Sequence, residues 1–373
     1  MPYWIWGAAY ALVFLEALAA AALLAPLTIP LARRFGFEAG PGERHIHKRP
    51  TTTLGGLAIV GAFFAVILGN LLLARLLHPI LLQRLPEIGR YITNIPSVSP
   101  QLAAVLGGAL AMCLLGLADD KRPLGPRLKL IVMILATLPL LWTDVRIRGF
   151  LPWPWMGALA TMLWVVFLCN SFNFLDNMDG LTGGIALIAA CAFALISFFA
   201  EEWFMTAIYV ALAGSLLGFL IHNFHPARLF MGDNGSLFIG YMIGSLSILS
   251  TYYKQGSAPT LAPVLTPVIV LGVPIFDTVT VLWIRWRSGR PLMRGDKNHF
   301  SHRLLDLGFS QRRAATFIYA ITAAVALGAV PVQSVGRLGA VAILVQTALL
   351  FWIIHRIERA ARNHSHATRK EER

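Results

Sequence analysis

Apolar runs of roughly 17–25 residues recur along the whole chain, separated by short polar stretches. Runs of that length cover the hydrocarbon core of a bilayer as helices and are far too long for barrel strands. Helices and closed barrels are the only structures that satisfy their backbone in lipid, so the runs are read as helices. The pattern predicts about eleven membrane spans, near 4–31, 54–77, 101–118, 128–144, 155–172, 182–200, 203–224, 235–253, 261–284, 314–332 and 336–355. The first is long and carries Pro26 and Pro30 near its end, a place for a kink. The run 128–144 is short and contains Pro139. The fold class is therefore all-α: a polytopic integral membrane protein, with one transmembrane domain over 1–355 and a basic tail over 356–373.

Composition agrees with the pattern. The chain is 57% hydrophobic and 13% charged, with a mean hydropathy of +0.67, outside the range of ordinary soluble domains. Its net charge of +13 could suggest a nucleic-acid partner, but excess Lys and Arg in a membrane protein mark cytoplasmic loops, and no nucleic acid is expected. Cys113, Cys169 and Cys191 all fall inside apolar runs without metal-ligand spacing, and read as small core residues. The first basic residue is Arg33, so the positive stretch of a signal peptide is missing; the first helix is expected to stay, with its N-terminus outside.

The basic residues set the orientation. The loops 32–53, 119–129, 173–181, 225–234 and 285–313, with the tail from Arg356, hold 24 of the 31 Lys and Arg residues. The other seven are Arg75, Arg84, Arg90, Arg146, Arg148, Lys254 and Arg337. The first set is expected to be cytoplasmic, and an odd number of spans puts the C-terminus inside. The same loops carry nearly every polar cluster: "GLADDKRPLGPRLKL", "NSFNFLDNMDGL", "HPARLFMGDNGS" and "GDKNHFSHRL". The opposite loops are short or plain; 78–100 is longer but has no charge cluster. A transporter would place ionisable groups near the midplane, whereas Glu16 is read here as the one clear intramembrane acid, with no evident partner.

Each cluster has an ordinary reading beside a chemical one. Asp119 and Asp120 repel one another and face the negative end of a helix dipole. They could be a solvated pair balanced by Lys121 and Arg122, or a base or cation partner, with Lys129 one turn into the next helix facing the same space. Asp176 and Asp179 stand among Asn170, Asn173 and Asn177. One such residue would be a helix cap, but five polar residues in ten exceed that need. Asp233 lies in "FMGDNGS", which alone reads as a turn, and Phe230 beside it as an interfacial aromatic. His299, His302 and Arg303 make a weak zinc signal and a better phosphate site, although the positive-inside bias accounts for most of the basic residues. Together the parts suit phosphoryl transfer, because Mg²⁺ takes one or two carboxylates plus substrate phosphates.

These motifs resemble those of the polyprenyl-phosphate N-acetylhexosamine-1-phosphate transferases, in order and topology over roughly residues 1–355. The family carries an Asp-Asp pair after a membrane helix, an NxxNxxDGxDGL motif, FMGDxGS and a His-rich loop. Here these are Asp119–Asp120; Asn170, Asn173, Asp176, Asp179, Gly180 and Leu181; Phe230 to Ser236; and "HFSH". "HIHKRPTTTLGG", with Lys48 and Gly55–Gly56, is similar to the family's first cytoplasmic loop. Any one motif is weak, and four in order on one face are specific.

The resemblance implies a reaction in which polyprenyl phosphate attacks the β-phosphorus of a UDP-N-acetylhexosamine, giving the lipid diphosphosugar and UMP. It implies Asp233 as the main Mg²⁺ ligand (with Mn²⁺ as an alternative ion) and Asp179 as the second. It further implies Phe230 stacked on uracil, Asn177–Met178 lining that pocket, and Asp119 or Asp120 orienting the lipid phosphate. Lys129, His299, His302 and Arg303 would hold the diphosphate and sugar, and Lys48, Asn170 and Asn173 complete the expected binding set, with Asp176 catalytic or a cap. Direct attack is favoured over a covalent aspartyl-phosphate, because a lipid phosphate is already a competent nucleophile. Two positions depart from the family pattern: Asn177 stands for the first glycine of DGxDGL, and Ser301 for a histidine of HxHH. The stretch "DKNHFSHRLLDLGFSQRRA" looks more like the N-acetylglucosamine-1-phosphate branch than the muramoyl-pentapeptide branch. That branch starts surface glycans such as O-antigen or teichoic acid, at the cytoplasmic face of a bacterial inner membrane; a homodimer is compatible with it. A CDP-alcohol transferase is disfavoured, because its DG-x2-AR signature is absent.

Overall fold

A computed structural model of the chain describes residues 3–39, 51–148, 153–250, 262–292, 296 and 298–371. Within these the helices are α1 (Tyr3–Phe35), α2 (Gly56–Arg84), α3 (Pro86–Thr93), α4 (Ile95–Lys121), α5 (Pro126–Trp142), α6 (Pro154–Leu175) and α7 (Leu181–Phe199). They continue with α8 (Trp203–Asn223), α9 (Gly232–Leu249), α10 (Thr266–Val270), α11 (Gly272–Arg287), α12 (Phe300–Asp306), α13 (Gln311–Ala329) and α14 (Arg337–Glu371). A two-residue antiparallel ladder, Glu38–Ala39 with Thr51–Thr52, closes the base of the first polar loop.

Among the described residues every predicted run is largely helical, and the all-α polytopic class holds. Among the described residues eight helices are long and apolar enough to cross a membrane: α1, α2, α4, α6, α7, α8, α13 with its following turn, and the first part of α14. The other three predicted runs form α5, α9 and the α10–α11 pair. Helix α1 continues through Pro26 and Pro30 without a break. The run 261–284 is not one helix. It divides into a 3₁₀ turn at Ala262–Leu265, α10 and α11, where Pro263, Pro267 and Pro274 remove backbone donors and Leu271–Gly272 restarts the helix. The stretch 78–100, expected as a plain loop, is mostly helical, with Pro86 and Pro96 each in the first turn of a helix, where the missing donor costs nothing.

Helix α9 is the axis of the bundle: every residue from Asn234 to Ser247 is buried. It packs between α4 and α6. Helices α1 and α8 approach closely because Gly214 and Gly218 lie four residues apart against Ala17 and Ala21; a Cβ on either glycine would overlap the Phe14 or Leu18 carbonyl. Small residues at such spacing let helices pack by dispersion alone, which lipid does not weaken.

The intramembrane acids differ from the sequence reading in two ways. Glu16 does have a partner, for Asn70 Nδ2 donates to its Oε2 at 2.7 Å, joining α1 to α2. Asp277 is a second acid inside a predicted span, fully buried on α11.

Alternate loops gather at one end of the bundle. Hydrogen bonds there join the loop after α1 to the one after α4, through Lys121 and the Phe35 carbonyl, and to the one before α9, through Thr52 and Phe230. Others join the α6–α7 turn to the α8–α9 loop and to α12. These are the loops that hold the basic residues and the polar motifs.

Candidate active site

Asp119 and Asp120 occupy the last turn of α4, where the helix dipole disfavours them, and the structure shows what offsets that cost. Asp120 reaches the N-terminus of α9. It accepts the backbone N–H groups of Asp233 (3.0 Å) and Asn234 (3.2 Å) and the Asn234 side-chain amide (2.7 Å). Its charge thus serves as a cap supplied by another helix, at the favourable end of that helix's dipole. Asp119 accepts the Leu124 amide (2.7 Å) and pairs with Lys129 Nζ at 2.5 Å. Lys129 also reaches Asp233 Oδ2 at 2.8 Å, so one ammonium joins carboxylates from α4 and α9. This junction is tight, since a methyl on Gly116 would overlap the backbone of Asp233 and Asn234.

The end of α6 connects this cluster to the rest of the site. Asn173 Nδ2 donates to Ser236 Oγ on α9 at 3.1 Å. Asp176 follows the helix; burial, and then the nearby charges of Asp233 and Asp120, push its carboxyl up to about 8. Asn177 accepts the Ser301 hydroxyl from α12 at 2.6 Å. Gly180, in the left-handed region with φ +71°, turns the chain into α7; its N–H donates to Asn223 Oδ1 and its carbonyl accepts the Tyr319 hydroxyl. Asn170, one turn earlier, points its amide at the Val166 carbonyl (2.8 Å) and Met133 Sδ (3.5 Å) and does not join Asp176 or Asp233 through it.

Asp179, expected as the second metal ligand, contacts the loop before α9. It is buried, and its Oδ2 accepts from His225 Nδ1 (2.8 Å) and the Ala227 amide (3.1 Å), so it anchors the loop that leads into Phe230–Asp233. That loop is held from its other side by the first polar loop. The Phe230 N–H donates to the Thr52 carbonyl, the Phe230 and Met231 carbonyls accept Gly55 and Gly56, and Asn234 Nδ2 reaches the Thr53 carbonyl. Gly56 meets Gly235 so closely that a Cβ would overlap its Cα, which is why the "TLGG" stretch needs glycine there. The Phe230 ring is half-buried. Lys48 lies outside the described residues.

The His/Arg segment forms α12, and Asp277 organises it. Asp277 Oδ2 accepts His299 Nδ1 (2.8 Å), and Oδ1 accepts the Phe300 amide (2.6 Å), capping the helix. His302 is buried on the same turn, and Arg303 donates to the Asn298 carbonyl at 2.5 Å. Sequence reasoning missed Asp277, although an acid inside a predicted apolar span is a visible signal. It also treated Arg285 as orientation bias alone. Arg285 is fully buried, stacks over Phe174 of the α6 stretch (5.1 Å to the centroid) and bonds Asp296. Burial works to raise the Asp296 carboxyl, but hydrogen bonds from Arg285 and Asn298 outweigh it and hold the group down at about 2.

The donors present suit a hard divalent cation. Asp119, Asp120, Asp176 and Asp233 share one end of the bundle, and Lys129 is the cation that bridges two of them. Among the described residues no three His, Cys, Asp or Glu groups form a ready-made ligand set. Mg²⁺ commonly takes one or two carboxylates and fills the rest of its shell with substrate phosphate and water.

Known proteins match the chain over most of its length. The family described as glycosyl transferase family 4 matches residues 102–251, which hold the Asp pair, Lys129, the α6–α7 turn and Asp233. A relative from Bacillus subtilis (strain 168), named probable undecaprenyl-phosphate N-acetylglucosaminyl 1-phosphate transferase, is 30% identical over 329 residues, 86% of this chain and 84% of its own. A decaprenyl-phosphate N-acetylglucosaminephosphotransferase of Mycolicibacterium smegmatis is 34% identical over 336 residues, 80% of this chain and 76% of its own. A phospho-N-acetylmuramoyl-pentapeptide-transferase of Bacillus subtilis (strain 168) is 29% identical over 325 residues, 80% of this chain and 90% of its own. With the motifs assembled at one end of a helical membrane bundle, and relatives matched over most of their length, the chain belongs to glycosyl transferase family 4, the polyprenyl-phosphate N-acetylhexosamine-1-phosphate transferases.

Proposed function

We propose that this protein transfers N-acetylglucosamine 1-phosphate from a UDP-sugar to a polyprenyl phosphate such as undecaprenyl phosphate, releasing UMP. The observation that carries the reading is the convergence of Asp119, Lys129, Asp176 and Asp233 at one end of an apolar bundle. A water-soluble nucleotide and a lipid phosphate can meet there, and nowhere along a lipid-facing helix. The names of the relatives at 30% and 34% identity support the acetylglucosamine donor over the muramoyl-pentapeptide one. The density of Lys and Arg in the same loops supports a cytoplasmic face for the site and an outside N-terminus, and the bacterial relatives support a bacterial cytoplasmic (inner) membrane.

In the reaction an oxygen of the lipid phosphate attacks the β-phosphorus of the UDP-sugar. The bond from that phosphorus to the bridging oxygen breaks, and the electron pair leaves on UMP. Lys129 brings a positive charge between the α4 and α9 carboxylates, where a phosphate can take it over from Asp119 or Asp233. Asp119, paired with Lys129, is the group placed to orient the lipid phosphate, since Asp120 is committed to the α9 amides. Asp233 and Asp176 would hold Mg²⁺, which when bound neutralises the diphosphate. Asp179 then acts by positioning the Phe230 loop, which supplies the aromatic face for the base. His302 and Arg303 border the space for phosphate and sugar.

The test is transfer itself. Purified protein in detergent with Mg²⁺, undecaprenyl phosphate and radiolabelled UDP-sugars is expected to make lipid-soluble label with UDP-N-acetylglucosamine, and Asp233→Asn to lose at least about a hundredfold in rate. No label with any sugar, or full activity in Asp233→Asn, overturns the proposal.

A further inference from the structure

We infer that Asn177 and Ser301 form a latch that fixes the His/Arg helix to the α6–α7 turn and thereby sets the affinity of the donor site; this rests on the transfer reaction proposed above. The contact is the Ser301 hydroxyl donating to Asn177 Oδ1 at 2.6 Å. Both residues are committed to it. Asn177 spends its side-chain amide on the Phe174 carbonyl (2.8 Å) and its backbone N–H on Leu175, which fixes the direction of Oδ1. Ser301 is buried, 1% exposed, in the first turn of α12.

Helix α12 has seven residues and cannot hold its place by its own helical stability. Its position is set by its anchors. Asp277 of α11 fixes the entry, through His299 and the Phe300 amide. Buried Phe300 and Leu304 pack the helix into the bundle against α13, but apolar packing of this kind does not fix its polar side chains against the α6–α7 turn. The Asn177–Ser301 bond adds the direct polar tie, from the residue after Phe300 to the neighbour of Asp176, and so links the turn of His302 and Arg303 to the segment that also contacts α9. Loss of a buried hydroxyl-to-amide bond of this kind is enough to change an affinity several-fold without rebuilding the fold. These are also the two positions that depart from the family pattern. Glycine at 177 would offer no side-chain acceptor, so the bond depends on the asparagine. Asn177 is thus a positioning residue rather than a group that lines the uracil pocket with its amide.

The experiment compares wild type, Ser301→Ala, Ser301→Thr, Asn177→Ala and the Asn177→Ala/Ser301→Ala double variant, all full length in detergent. Ser301→Ala is expected to raise KM for UDP-N-acetylglucosamine about five- to tenfold, with kcat and KM for the lipid phosphate within about twofold of wild type. Ser301→Thr keeps the hydroxyl and is expected to restore the nucleotide-sugar KM. The double variant is expected to be no worse than the weaker single one. Additive losses, or a threonine variant as weak as alanine, overturn the latch. A loss that falls equally on kcat and both KM values shows a general structural effect and overturns it too. Hydrogen exchange separates this from failure of the transfer reaction. Either single variant is expected to speed exchange in 300–306 and 176–181, the double adding nothing, whether or not the wild type transfers sugar. Unchanged or additive exchange overturns the latch on its own, whereas an inactive wild type overturns only the reaction.

Discussion

Single residues at this site combine roles that a motif string does not separate. Asp119 and Asp120 are adjacent in sequence, yet one faces Lys129 and the other caps α9. Asp176 sits within the field of both Asp120 and Asp233, and its carboxyl is pushed up from 3.8 to about 8. The folded state keeps a proton there that the unfolded chain releases near its ordinary value. The stability this gives is complete below about 4 and is lost as pH rises through about 8. Melting in detergent without divalent ions is therefore expected to fall between about pH 5 and 9 more steeply for wild type than for Asp176→Asn. Parallel pH profiles for the two would contradict the burial and charge argument.

At the scale of elements, close approach decides whether the parts meet. A methyl on Gly116 would overlap the backbone of Asp233 and Asn234, while one on Gly107 of the same helix meets nothing within 4 Å. Gly116→Ala is expected to cost about 1–3 kcal/mol and to reduce transfer at least tenfold, with Gly107→Ala neutral or stabilising. Equal behaviour of the pair in melting and transfer assays would show that α4 and α9 are not packed as described. The segment before α12 depends on a different term. Asp296→Ala leaves the fully buried Arg285 without its carboxylate, which is expected to cost about 3–5 kcal/mol in a melting assay. An Arg285→Met/Asp296→Leu double variant should recover most of that loss, because no buried charge then remains unpaired.

At the scale of the whole molecule, alternation of helices puts the chemistry at one end. Arg290 follows α11 at the site end, and Arg148 follows α5 at the other; both are exposed. In a background without Cys113, Cys169 and Cys191, a cysteine at 290 is expected to react with a membrane-impermeant maleimide only from the cytoplasmic side, and one at 148 only from outside. Labelling of both from the same side would refute the alternation.

The order of apolar runs, the loops in which Lys and Arg concentrate and the residues of the motifs are all local properties. They were legible because a lipid-spanning helix must be apolar over its whole length, and because charge bias is carried by composition. The all-α class, and the gathering of Asp119, Asp176, Asp233 and His299 in alternate loops, followed from the sequence alone. Pairing did not. Which of two adjacent aspartates faces Lys129, why Asp179 turns to His225, and why Asp277 governs His299 all depend on contacts between residues far apart in the chain. A broken ninth span and a helical 78–100 likewise depended on how prolines met their neighbours. In lipid, apolar surface does not drive one helix against another, so rotation and register are set by small-residue contacts and buried hydrogen bonds. Those are properties of pairs, and the tertiary structure alone decided them.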